Sequence, residues 1–257
     1  MEPLVEPPAV RASGLSVTTR DGTVLLHPCD LSVPAGQLVA VMGASGAGKT
    51  TLVRALAART PSALRAEGAV VGGGAARTAA AHRAAVGFSG TTPVLVEELS
   101  LRGNARFVQR TLGVSEAALA ARAAELGLAV DAPTPVRLLS TGQRKRVQLL
   151  LDLLAEREVL VLDEPTTGLS DTDAIDLVRT LRATVDAHPR LSILLVIHQP
   201  RAEVRALLDA VVLVAAGRVA AHAPLAALAA CLTPPPSGTD PLHWVLDSLA
   251  RRPEATL

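Results

Sequence analysis

An α/β fold built on a mostly parallel sheet is what this chain predicts, and three observations predict it. The runs 159–162, 191–197 and 211–214 are apolar without alternation, as strands covered on both faces are. A helical stretch, 171–185, separates the first two, which is the βαβ alternation of a parallel sheet. Another apolar run, Leu38–Met42, feeds a Gly-rich turn after which helical residues resume.

Each element follows from local chemistry. Residues 1–8 read as a disordered lead-in, because Pro3, Pro7 and Pro8 break any regular element. Strand-like runs come next at 9–17, 23–26 and 30–33, with Asp21-Gly22 as the hairpin turn between the first two. Pro34-Ala35-Gly36 is another turn; the strand 37–42 then leads into a helix over 50–58. Residues 68–74 hold a short strand and a Gly-rich loop, and Val86-Gly87-Phe88 is a short strand. From 98 to 154 the pattern turns helical, over 99–111, 115–126 and 142–154, with Pro133 and Pro135 in a connection. Pro234-Pro235-Pro236 marks a boundary before a final amphipathic helix at about 241–249.

Composition limits the possibilities. At 257 residues the chain can bury a sizeable core. Aromatic residues make up 1% of it (Phe88, Phe107 and Trp244), so the core must be Ala, Val and Leu. Only two of the 25 basic residues are lysines, Lys49 and Lys145. A net charge of +1 gives no basis for nucleic acid or an anionic membrane as a direct partner. Cys29 and Cys231 are far apart and lack metal-ligand spacing, which implies buried free thiols in a reducing compartment. The acidic, Pro-rich start is unlike a signal peptide, and no segment approaches the ~18 apolar residues of a membrane span. Any membrane role of these residues must be borrowed.

Gly43-Ala44-Ser45-Gly46-Ala47-Gly48-Lys49-Thr50-Thr51 completes a phosphate-binding loop in the strand–turn–helix context that it needs. Its glycines let backbone N–H groups close around phosphate oxygens, and the helix N-terminus adds positive potential. Lys49 can reach the β- and γ-phosphates, and the Thr50 hydroxyl can ligate Mg²⁺. A nucleoside triphosphate is the ligand this predicts. The strand 159–162 ends in Asp163-Glu164, which sets Asp163 against the Mg²⁺ shell and Glu164 where it can polarise an attacking water. Such a strand end is weak evidence alone and strong evidence beside a complete phosphate loop. Leu139-Ser140-Thr141-Gly142-Gln143 is a polar turn opening a helix, a second site for an anion. Arg144-Lys145-Arg146 behind it reads as a solvated helix face.

These motifs, in this order, resemble the ATP-binding cassette (ABC) family, and the resemblance continues through Asp163-Glu164-Pro165-Thr166-Thr167-Gly168-Leu169 and Ile197-His198-Gln199-Pro200. Gly142-Gln143-Arg144-Lys145-Arg146, the His-Gln-Pro string and the tail Asp240-Pro241-Leu242-His243-Trp244-Val245-Leu246-Asp247 resemble the G, or white-type, subfamily. The resemblance implies a P-loop NTPase fold: a RecA-like, mostly parallel core, an N-terminal antiparallel β subdomain and an inserted α-helical subdomain. The cassette would span 9–232 with helical insertion at about 92–155, leaving 233–257 as a Pro-rich linker and short helix. It further implies two cassettes, alike or different, paired head to tail around two ATP molecules, and a membrane domain that holds them at the cytoplasmic face, expected as a separate transmembrane subunit unless this chain is a truncated half-transporter. Gly43 through Thr51 would hold ATP, with Thr50 and Asp163 organising Mg²⁺. Glu164 would act as the general base or water-positioning group, and His198 would contact the γ-phosphate and the attacking water. Ser140, Gly142 and Gln143 would serve the partner's ATP.

The chain departs from the family pattern at four places. Thr91 stands where a Gln that reaches Mg²⁺ is expected, and no aromatic near Thr19-Arg20 can stack on adenine, leaving Arg20 as a substitute. Thr141 replaces a glycine, and Ser170 replaces an aspartate, with Asp171 next in line. Slow hydrolysis is expected, in the motor subunit of a transporter. The alternatives are a soluble cassette ATPase and a regulatory module that binds ATP and turns it over poorly.

Overall fold

A computed structural model of the chain describes residues 9–72, 78–224 and 227. The lead-in, Cys231 and the helix expected near 241–249 lie outside them.

β1 (Val10–Thr19) and β2 (Val24–Val33) pair antiparallel across the Asp21-Gly22 turn, with Val10 opposite Val33 and Thr18 opposite Val24. Two short runs were expected where β2 stands; instead the strand continues through Pro28 and Cys29. Register shifts between Ala12 and Thr18 of β1 absorb the irregularity. β3 (Leu38–Met42) leads through the Gly-rich turn to α1 (Lys49–Leu56). β4 (Leu64–Gly72), longer than expected, takes the other side of β1 and completes a three-stranded sheet in the order β2-β1-β4.

α2 (Ala79–Ala85) then precedes β5 (Val86–Ser89). α3 (Leu101–Leu112), α4 (Glu116–Glu125) and α5 (Thr141–Leu153) make up the helical stretch. β6 (Val159–Asp163), α6 (Asp171–Ala187), β7 (Ser192–Val196), α7 (Ala202–Arg205) and β8 (Ala210–Ala215) follow, and β9 (Arg218–Pro224) turns back on β8. The second sheet has six strands in the order β5-β6-β7-β3-β8-β9, parallel except for the antiparallel pair β8–β9.

Serine starts four of the helices. The hydroxyls of Ser100, Ser115, Ser140 and Ser170 each accept from the N–H three residues on, which satisfies one of the unpaired donors of a first turn. The period of two along the strands sorts the core into layers. Val39 and Val41 face α1 and the small sheet, meeting Leu52, Leu56, Val17 and Leu26. Leu38, Ala40 and Met42 face the opposite layer, where Leu150, Leu177 and Leu181 of α5 and α6 lie. Arg54 of α1 places its guanidinium over the Phe88 ring, 5.7 Å from the centroid. Among the described residues no helix is long and apolar enough to cross a membrane.

Candidate functional site

β6, β7 and β3 are neighbours in the sheet and run parallel, so whatever follows each of them emerges on one edge. Asp163 ends β6 and Glu164 follows it, His198 follows β7 and the Gly-rich loop follows β3. Strand order brings together groups more than a hundred positions apart.

All five residues of β3 are buried, and the loop leaves it under tight constraint. At Gly43 a Cβ would lie 2.1 Å from the Val214 carbonyl oxygen, so β8 excludes any side chain there. Ala44, Ser45 and Gly46 form the exposed tip, while the Ala47 carbonyl accepts from the Gly217 N–H at 2.8 Å. Gly48, at φ 104°, begins α1 with no side-chain cap bond, unlike the serine-capped helices. First-turn N–H groups and the positive end of α1 are thereby left for an anion.

Lys49 is 5% exposed, and its ammonium donates to the carbonyls of Gly43 at 3.0 Å and Ala44 at 2.8 Å. Burial pushes its pKa down, against the opposing charges of Glu164 and Asp163. The Thr50 hydroxyl donates to Asp163 Oδ1 at 3.0 Å, and Thr51 continues the first turn. Burial raises the Asp163 carboxyl above its usual range, with the Thr50 bond working against it. One hydroxyl and one carboxylate suit Mg²⁺, which takes few protein oxygens and fills its shell with phosphates and waters. No cluster of three or more His, Cys, Asp or Glu exists among the described residues, so a metal held by protein alone is not what this donor set fits.

Glu164 adopts φ 55°, a left-handed conformation for a residue with a Cβ, which turns it out of the line of β6. Its Oε1 lies 2.8 Å from His198 Nε2, and its Oε2 accepts the Thr167 hydroxyl at 3.1 Å. The His198 bond, more than that of Thr167, holds the carboxyl below its usual range, so it is ionised at neutral pH. Ser140 and Gln143 form a reciprocal capping box at the start of α5, with Ser140 Oγ accepting from Gln143 N–H at 3.2 Å and Gln143 Oε1 from Ser140 N–H at 3.0 Å. The Ser140 hydroxyl proton and the N–H groups of Thr141 and Gly142 remain available to an anion. No hydrogen bond joins these residues to Lys49, Asp163 or Glu164.

Several expectations change. The Arg144-Lys145-Arg146 run is not a solvated face: Lys145 is 9% exposed, and its ammonium donates to the carbonyls of Pro165 and Thr167 at 2.7 Å and of Glu164 at 3.3 Å. A lysine is buried there because the turn after β6 offers it three carbonyls. Cys29 is half-buried rather than buried; its Sγ donates to the Leu15 carbonyl, and burial pushes the thiol up to about 11. Thr91 lines a small, open pocket with Ser89, Lys145, Gln148 and Asp163. The segment after β5 is pinned by Gln148 of α5, whose Oε1 accepts from Val94 N–H at 2.8 Å. Sequence reading missed Gln148 because it lies far from that segment in the chain. Ser170 caps α6 through the Asp173 N–H at 3.1 Å, while Asp171 pairs with Arg201. Arg20 donates to the Ser62 carbonyl at 3.1 Å, tethering the guanidinium expected to meet the base.

Residues 26–167 match the family model for the ABC transporter. The chain is 32% identical over 86% of its length to ABC transporter G family member 4 of Arabidopsis thaliana, and spans 38% of that protein. It is 31% identical to the phosphonates import ATP-binding protein PhnC of Burkholderia pseudomallei, over 86% of this chain and 77% of that one. Among solved structures, CbiO1 of Clostridium perfringens, part of an ABC transporter complex, superposes with a TM-score of 0.76 over 85% of this chain and 89% of its own, at 23% identity. That likeness carries the fold alone, the α/β architecture of a P-loop NTPase. A phosphate loop, an Asp-Glu strand end and a histidine gathered on one sheet edge, in a chain with these relatives, make it a member of the ABC transporter family, resembling the G subfamily.

Proposed function

We propose that this chain binds and hydrolyses ATP to drive a membrane transporter. The observation that carries the reading is the Glu164 carboxylate, ionised and oriented by His198 and Thr167 beside Lys49, Thr50 and Asp163. The loop N–H groups and Lys49 bind the phosphates. Thr50 and Asp163 hold Mg²⁺, which when bound neutralises charge developing on the phosphates. Glu164 Oε1 accepts a proton from the attacking water or orients it, and His198 keeps that oxygen aimed. Ser140, Gly142 and Gln143 offer their free donors to the ATP of a second cassette.

Exposed apolar side chains support a membrane-embedded partner. Val94, Val96, Leu99, Phe107 and Leu138 are all exposed on or beside the helical layer, with Phe107 at 76%. One of the chain's two phenylalanines is thus spent on a surface, where a protein contact would cover it. Cytoplasmic placement follows from that partner. Regulatory binding with weak turnover is the second reading; the short Thr91 hydroxyl in place of a Gln favours it.

The test is single-turnover MgATP hydrolysis by the purified chain, alone and mixed with a second cassette. Glu164→Gln is expected to lower the rate about 10²–10³-fold while ATP still binds. A rate unchanged by this substitution would remove hydrolysis from the reading; no wild-type turnover in any mixture would favour the regulatory one.

A further inference from the structure

Arginine fills 23 of the 25 basic positions, the remainder (25 − 23 = 2) being Lys49 and Lys145. Both lysines are buried, both donate to backbone carbonyls, and both lie within the electrostatic reach of Glu164. Lys49 has the phosphate-binding role proposed above. Lys145 has none so far, and its geometry is specific. A tetrahedral ammonium has three N–H donors, and here three carbonyls converge on it, those of Glu164, Pro165 and Thr167. A guanidinium holds its donors apart in a planar fork, whereas an ammonium concentrates three on one nitrogen where the carbonyls converge.

The three carbonyls belong to the turn that aims the carboxylate. Glu164 begins the turn with φ 55°, and Thr167 N–H returns to the Glu164 carbonyl at 3.2 Å. The Thr167 hydroxyl holds Glu164 Oε2. Lys145 therefore clamps both ends of the segment whose conformation decides where Glu164 points. It does so from α5, the helix whose first residues carry the second anion-binding turn, two positions before Lys145. A helix is stiff over so short a span, so a displacement of Ser140–Gln143 also moves the ammonium.

We propose that Lys145 is a positioning residue for ATP hydrolysis, fixing the Glu164 turn from α5 and tying the orientation of this chain's base to the seating of its own Ser140–Gln143 turn. This rests on the hydrolytic reading above. In this role Lys145 acts through Glu164, by its bonds to the carbonyls of Glu164, Pro165 and Thr167.

Single-turnover and steady-state MgATP hydrolysis by the full chain test it, beside ATP affinity. Lys145→Met is expected to lower kcat about tenfold or more and to leave KM within about twofold, because the phosphate loop is untouched. In a Glu164→Gln background the same change is expected to lower the residual rate by less than about threefold, since a residue acting through Glu164 has nothing left to orient. A structural defect would instead subtract equally in both backgrounds. Lys145→Gln, smaller and polar, serves if the Met variant does not fold. Wild-type kcat in either folded variant, a full further loss in the Glu164→Gln background, or loss of ATP binding in both variants would overturn the proposal. The outcomes separate the two ideas: activity lost in Glu164→Gln but kept in Lys145→Met sinks only the positioning role. Activity indifferent to Glu164→Gln sinks hydrolysis as well.

Discussion

Asp152 of α5 shows what a single carboxyl can cost. Its Oδ1 accepts from Gln148 Nε2 at 3.1 Å, but its Oδ2 is sealed from water with no partner. Burial raises the group from 3.8 to about 6, against hydrogen bonds from Ser89 and Gln148 and the charge of Arg157. Because the folded value is raised, the folded state holds its proton more tightly than the unfolded one. The group is therefore neutral to stability below pH 3.8 and destabilises progressively as pH climbs through about 6. Moving a carboxyl from 3.8 to about 6 corresponds to ~3 kcal/mol, which partial exposure of the residue reduces. Asp152→Asn is expected to gain about 1–2 kcal/mol in urea unfolding at pH 8 and nothing at pH 3.5. An equal gain at both pH values would place the effect elsewhere. At this scale Lys145 was the least legible residue: flanked by two arginines on a helix, it has the pattern of a solvated face. The one available signal was compositional, a lysine kept where arginine is the rule.

At the scale of elements, the helices were readable in outline, and the structure adds the serine caps that start them. Ser100, Ser115, Ser140 and Ser170 each precede a helix by one residue, and the boundaries expected from sequence fall within two or three positions of those found. β9 and α2 were not foreseen. β9 is Arg-Val-Ala-Ala-His-Ala-Pro, nearly without β-branched residues, and it forms because the Ala216-Gly217 turn folds it against β8. α2 is mostly alanine and has no apolar stripe; its cap, Thr78, is the only local signal. The caps also separate structure from function. Ser115→Ala and Ser140→Ala should each cost about 1 kcal/mol in stability. Only Ser140→Ala should also slow ATP turnover by a paired cassette, because its hydroxyl is the one proposed to face a nucleotide. Equal turnover in the two variants would remove Ser140 from the site.

For the whole molecule, the sheet order was the missing information. The sequence displayed a phosphate loop, an Asp-Glu strand end and a histidine as separate strings. Nothing in the strings states that β6, β7 and β3 are adjacent, and adjacency is what brings Glu164 within 2.8 Å of His198 and Thr50 within 3.0 Å of Asp163. The family resemblance grouped these residues around ATP without giving the strand order, and composition and periodicity could supply neither. The same order accounts for the bracing of the loop from its other side, by the turn between β8 and β9. Gly217 donates to the Ala47 carbonyl at 2.8 Å, and its own carbonyl accepts from the His27 N–H at 2.7 Å. One residue thus stitches the three-stranded sheet to the rim of the phosphate cradle. When MgATP stiffens that rim, deuterium uptake at the His27 and Gly217 amides should slow together, while amides of β4 exchange as before. An unaltered pair would mean that the smaller sheet is deaf to nucleotide; a slowed pair makes it a remote listening post, hearing occupancy through a single glycine.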